Sequence, residues 1–169
     1  SSGDTVVSLA WPNDLTFGTT YSVQLAETAK SATGQLLEAM FSSYFTVESR
    51  PQLVSGSEYP APGATSVATG TLIRMTFSKP MNQASVASAF AMTANGAAVT
   101  GTISWSDTTM TFTPAASLPA SAACVVTVST SARDGTGNTL IAPIFWRFDT
   151  VTLAGTVWRQ LLASDFTAT

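Results

Sequence analysis

Histidine is absent from the 169-residue chain, and cysteine occurs once, as Cys124. Without histidine there is no commonplace general base at neutral pH, no usual partner for a nucleophilic serine and no imidazole metal ligand. A lone cysteine closes no intrachain disulfide, so a disulfide-stapled fold is excluded. In "AACVVTVST" it reads as an apolar strand residue. Charge is scarce as well: Asp, Glu, Lys and Arg make up 10% of the chain, against roughly 25% in an average soluble domain. The seven cations are scattered and the net charge is −3, so no basic patch exists to hold nucleic-acid phosphates. No apolar run approaches the roughly 18 residues needed to cross a bilayer. No signal peptide is visible, which a mature chain or a fragment would also lack.

What the chain does contain is a 45% hydrophobic fraction, enough to fill a core. Its polar surface comes from Ser, Thr, Asn and Gln, a texture frequent in secreted β-proteins. The hydrophobic pattern has a period of two. "TLIRMTF" (71–77) sets Ile73, Met75 and Phe77 on one face and Leu72, Arg74 and Thr76 on the other. "CVVTVST" (124–130) aligns Cys124, Val126 and Val128, and "IFWRFDT" (144–150) aligns Ile144, Trp146 and Phe148. "GTISW" and "TTMTFTP" flank the dipeptide Ser106–Asp107 as a hairpin. "NQASVASAF" (82–90) is the one helical candidate, capped by Asn82 and two turns long at most.

An internal repeat organises the chain. Residues 6–47 align with 109–150 without a gap at an offset of 103. Tyr21 falls on Cys124, Val23 on Val126, Lys30 on Arg133, Gly34 on Gly137, Leu37 on Leu140 and Phe45 on Phe148. Matched positions are mostly apolar or glycine, as expected when architecture is repeated. The expected organisation is therefore the C-terminal half of one module over 1–48, with strands near 5–11, 20–26 and 40–47, and a complete module over 51–150. A tail follows over 151–169, an extra or donated strand. A 48-residue half-module without disulfide or metal is marginal by itself, and its open edges invite pairing with another chain.

The run from "FSKPM" (77–81) through "TFTP" (111–114), "LPA" (118–120), Val126 and Val128, "ARDGTGNTL" (132–140) and "WRFDT" (146–150) resembles a family of bacterial Ig-like domains found in S-layer proteins, large surface adhesins and multidomain secreted enzymes. The match spans 60–150; residues 6–47 resemble only the family's second half, with Ser31 in place of the aspartate and Gln35 in place of the asparagine. The resemblance implies an all-β, immunoglobulin-like β-sandwich with Greek-key connections. It further implies a spacer or display module outside the membrane, bacterial and extracellular or at the cell surface, with no catalysis.

The loop "SARDGTGNTL" (131–140) looks chemical, with Asp134 and Asn138 as candidate calcium ligands. Its copy, "TAKSATGQLL" (28–37), has Ser31 and Gln35 at those positions. What persists is Gly34/Gly137 and Leu37/Leu140, which predicts a tight turn and a buried anchor. In that reading Asp134 accepts backbone amides and Gly137 takes positive φ. Calcium generally takes six to eight oxygens, so cofactors are expected to be none, with calcium the weaker alternative.

Catalytic constellations fail on inventory. The Ser78–Lys79 pair sits on adjacent strand positions, which point to opposite faces. The acidic residues are spread singly through predicted turns, with no pair facing another for glycoside hydrolysis. Trp105 and Trp146 lie in core phase, whereas Trp11 and Trp158 are contact candidates, joined in the tail by Leu161 and Phe166. The expected function is a non-enzymatic module that spaces and joins subunits or domains of a surface layer, adhesin or filament. Its partners would be other copies or neighbouring domains of the same surface protein, through strand complementation. A glycan- or protein-binding adhesin module, or an accessory domain of a secreted enzyme, are the alternatives.

Overall fold

The computed structural model describes residues 8–152. Within them the chain divides into two compact units, with the division between Pro51 and Gln52. No helix among the described residues is long and apolar enough to cross a membrane.

The larger unit is a β-sandwich. One sheet holds three antiparallel strands, β3 (Ile73–Thr76), β7 (Thr109–Pro114) and β6 (Gly101–Ser106), in the order β3-β7-β6. The other holds four, in the order β5 (Ala97–Ala98), β4 (Phe90–Ala94), β8 (Ala123–Val128) and β9 (Ile144–Asp149). The chain changes sheet between β3 and β4, between β5 and β6, and between β7 and β8, which gives the Greek-key character. The first of these crossings carries the only helix among the described residues, α1 (Gln83–Ala89), capped by Asn82, whose Oδ1 accepts the Ser85 N–H at 3.0 Å. Seven residues without acidic or basic terminal residues would not hold as an isolated helix; burial of Val86 and Ala89 against the sandwich supplies what propensity does not.

The predicted alternation sets the core. Ile73, Met75 and Phe77 from one sheet meet Cys124, Val126, Val128, Trp146 and Phe148 from the other, all at 3% exposure or less. Trp146 Nε1 donates to the Pro60 carbonyl at 3.0 Å, so its one polar atom is satisfied. Trp105 packs against the core as its phase predicts, stacking on Phe77 at 5.8 Å, and is half-buried because β6 is an edge strand. The β6–β7 turn is Asp107–Thr108, one residue later than Ser106–Asp107, since Ser106 pairs with Thr109 and Asp107 takes φ 52°. Gly101 opens β6 because a Cβ there would meet the Phe112 ring at 2.6 Å and, closer still, the Thr113 carbonyl oxygen.

The smaller unit is a two-stranded antiparallel sheet, β1 (Thr20–Leu25) and β2 (Phe41–Thr46). The repeat holds in the backbone. β1 and β2 occupy the residues equivalent to β8 and β9, and Tyr21 pairs with Phe45 as Cys124 pairs with Phe148. The expected strand over 5–11 is not present in its described part, residues 8–11. Its counterpart, β7, is held between β3 and β6, and residues 8–19 contain no strand that would hold it.

Candidate functional site

The loop at 131–140 is built outward from Asp134, which is 3% exposed. Its Oδ1 accepts the Thr136 N–H at 3.0 Å, the Thr136 hydroxyl at 2.8 Å and the Asn138 N–H at 2.8 Å. Oδ2 accepts Asn138 Nδ2 at 3.2 Å and lies 3.4 Å from Lys79 Nζ. Burial alone would raise the carboxyl pKa. The hydrogen bonds from Thr136 and Asn138 outweigh it and bring the value from 3.8 down to about 2. Gly137, at φ 96°, closes the turn with its N–H on the Asp134 carbonyl at 3.2 Å.

The copy at 28–37 repeats the main-chain bonds of this turn. Ser31 N donates to the Gln35 carbonyl at 2.8 Å as Asp134 N does to the Asn138 carbonyl at 2.9 Å. Leu37 N and Leu140 N each donate to the matching alanine carbonyl, Ala29 and Ala132, at 2.9 Å. Gly34 takes φ 85° where Gly137 takes 96°. Ser31 Oγ stands in for the carboxylate, pairing with the Thr33 hydroxyl at 2.9 Å and accepting the Gln35 N–H at 3.2 Å. The same backbone thus forms around a charged acceptor in one unit and a neutral hydroxyl in the other. The anchor differs: Leu140 is fully buried, while Leu37 is only half-buried, because no second sheet is described over it.

A contact that the sequence did not announce joins this loop to the strand-to-helix crossing. Lys79 of "FSKPM" reaches Asp134, Met81 bridges Asp134 through the backbone, and Asn82 N donates to the Arg133 carbonyl at 2.9 Å. Arg133, adjacent to Asp134 in sequence, is exposed; its main chain is held by Ser85, whose Oγ accepts the Arg133 N–H at 2.9 Å. Neither stretch signals the other in sequence, since Arg133 lies beside Asp134 and offers a nearer cation than Lys79.

Other candidates separate in space. Ser78 Oγ accepts the Gln52 N–H at 3.1 Å while Lys79 faces Asp134, so the two side chains serve different neighbours. Among the described residues no three acidic, cysteine or histidine side chains gather as a metal cluster. Cys124 is fully buried; desolvation, then the Asp149 charge, pushes its thiol pKa up, away from the reactive thiolate. Trp11 is 46% exposed and lies 6.1 Å from Tyr21 and 6.3 Å from Phe45, centroid to centroid. Trp158, Leu161 and Phe166 lie outside the described residues. An open groove of about 970 Å³ runs beside Tyr59, Pro60, Val67 and Arg74, and includes Glu58. Glu58 Oε2 in that groove is buried and has no hydrogen-bond partner among the described residues.

Comparison with known proteins places this geometry. Solved structures with a similar course include Mycobacterium tuberculosis L,D-transpeptidase 1, at 20% identity over 60% of this chain and 39% of that one, TM-score 0.44. The N-terminal part of the bacterial S-layer protein SbsC is similar at 18% identity over 60% of this chain and 24% of that one, TM-score 0.43. The chain thus spans well under half of either protein. None of the curated proteins matches the chain by sequence. Residues 48–150 match the bacterial Ig-like domain, well over half of the chain, and the protein belongs to that family.

Proposed function

We propose that the chain is a non-catalytic, extracellular structural module that spaces and joins neighbouring domains in a bacterial surface protein. The observation that carries this reading is the pair of loops. The most chemically suggestive stretch, 131–140, has a twin in which Ser31 replaces Asp134 and the main-chain hydrogen bonds are the same. Chemistry at Asp134 would need the carboxylate, whereas a turn needs only an acceptor at that point. The acidic oxygens are moreover engaged by Thr136, Asn138 and Lys79, which suits a staple between the helix crossing and the last strands. Membership of the bacterial Ig-like family supports the extracellular setting, and the low charge content and Ser/Thr-rich composition agree with it. In this reading Gly34, Gly137, Leu37 and Leu140 are turn and anchor residues, and the partners are neighbouring domains of the same protein.

A second reading, a glycan-binding module, is favoured by the groove beside Tyr59. An exposed ring, an unpaired carboxylate oxygen and the Arg74 guanidinium there offer stacking, an acceptor and donors to a sugar. Calorimetric titration of the chain with soluble cell-wall polysaccharide separates the two. A spacer gives no saturable heat. Saturable binding that disappears in Tyr59→Ala would replace the spacer reading with the glycan one.

A further inference from the structure

β6 is an edge of the larger unit whose outer side is unpaired among the described residues. The other long edges are closed. Outside β3 runs the 53–59 segment, where Tyr59 and Arg74 exchange both main-chain bonds at 2.8 Å. Outside β9 runs 63–67, where Gly63 N donates to the Arg147 carbonyl at 2.7 Å and Val67 N to the Asp149 carbonyl at 3.1 Å. β5 is two residues long. β6 has six residues, and none is the lysine, proline or other charge that usually blunts an edge.

The register fixes which of its main-chain groups are bare. Ala115 N donates to the Thr100 carbonyl at 2.9 Å, one step beyond the paired Gly101 and Pro114. Hydrogen-bonded and non-bonded pairs alternate along an antiparallel ladder, so Thr102, Ser104 and Ser106 turn their groups towards β7. Gly101, Ile103 and Trp105 turn theirs outward, and Pro114, which has no N–H to give, stands opposite Gly101.

We infer that this edge pairs with β6 of a second copy of the chain, antiparallel about a two-fold axis at Ile103. The outward positions are symmetric about Ile103. Gly101 therefore meets Trp105 of the second copy, Ile103 meets Ile103, and every outward N–H and C=O finds a partner. The side chains suit that register. Gly101 borders an open groove of about 530 Å³ lined by Phe90, Ile103 and Phe112 among others. Trp105 is half-buried against its own Phe77, and its remaining surface faces that groove in the second copy. On the outer face Thr102 meets Ser104 of the second copy, a hydroxyl pair of the kind that stabilises cross-strand neighbours.

Charge fits a copy of the same surface. A two-fold axis sets each charge near its own kind, yet between Lys79 and Arg133 the sequence has one charged side chain, Asp107. The two Asp107 carboxylates would stand about 27 Å apart at about 3.4 Å per residue along the paired strands, well beyond the screening length of about 8 Å. This contact gives the joining role proposed above a surface, and it rests on that reading for its purpose.

The test is light scattering together with amide exchange on the whole chain across a concentration series. The mass is expected to rise towards twice that of the monomer, and exchange at Ile103 and Trp105 to slow about tenfold in step with it, as their outward N–H groups become bonded. Two double variants on the exposed outer face check the register without touching the core. Thr102→Lys with Ser104→Lys sets like charges opposite one another and should leave a monomer; Thr102→Lys with Ser104→Glu sets opposite charges there and should restore the dimer. A monomer at every concentration overturns the inference. So does a dimer in which Ile103 and Trp105 exchange as they do in the dilute chain, or one that forms equally in both variants. Each of those results leaves the spacer reading standing, since that reading falls to saturable glycan binding.

Discussion

Asp134 carries its charge in a place from which water is largely excluded, and it does so because donors surround it. Burial alone would raise its carboxyl pKa, but the side-chain and backbone hydrogen bonds from Thr136 and Asn138 outweigh that and hold it at about 2. In the unfolded chain the same group takes up its proton near 3.8. The unfolded state therefore binds the proton first as pH falls, and protonation favours unfolding. The stabilisation is full above about pH 4 and is lost between there and about pH 2, amounting to about 2 kcal/mol. Asp134→Asn should remove this part of the acid transition and lower stability at pH 7 by about 2 kcal/mol, read by denaturant melts at pH 7 and pH 3. The gap between the variant and the parent should narrow at the lower pH and close only below about pH 2. Ser31, exposed and neutral, offers no such dependence in the smaller unit. Calcium provides a control for the loop: a turn staple predicts the same melting temperature with calcium or with chelator.

Among the elements, α1 shows how a weak local preference is made to hold. Its N-cap is Asn82, its Val86 and Ala89 are buried, and Ser85 Oγ ties its first turn to Arg133. Asn82→Ala should cost about 1 kcal/mol, the usual loss for a capping side chain, without changing the slope of the denaturant transition. The period-two strands were readable because each sets a continuous apolar face: Ile73, Met75 and Phe77, or Cys124, Val126 and Val128. The cap was readable for a similar reason, since it is local. The contacts that staple the loop were not. Lys79 and Asp134 are brought together by the course of the whole sandwich, and nothing in either turn names the other. Alternation put Trp105 on the core side, where it packs, but did not show that its strand lies at an edge and leaves it half-buried. The expected strand reaching residue 11 failed for a related reason. Its apolar spacing is that of β7, but β7 is a strand by virtue of β3 and β6 on either side.

At the scale of the whole molecule the two units illustrate one sequence pattern in two circumstances. In 52–152 the repeated hairpin is one wall of a closed core containing residues from both sheets. In 8–51 its twin keeps the register and the turn but leaves Phe41, Phe45 and Leu25 open. A two-stranded hairpin is marginally stable in water, and packing on its apolar face is what makes it persist. The repeat thus sets equivalent backbones in unequally packed surroundings. Native-state hydrogen exchange on the 169-residue chain, at a concentration where light scattering gives a monomer, tests this most directly. The account predicts that amides of β8 and β9, Val126 and Phe148 among them, exchange only through unfolding of the larger unit, while Val23 and Phe45 exchange far faster through local opening. Equal protection at Val23 and Val126 in the monomer would contradict it, because the smaller unit would then hold its hairpin without the covering sheet.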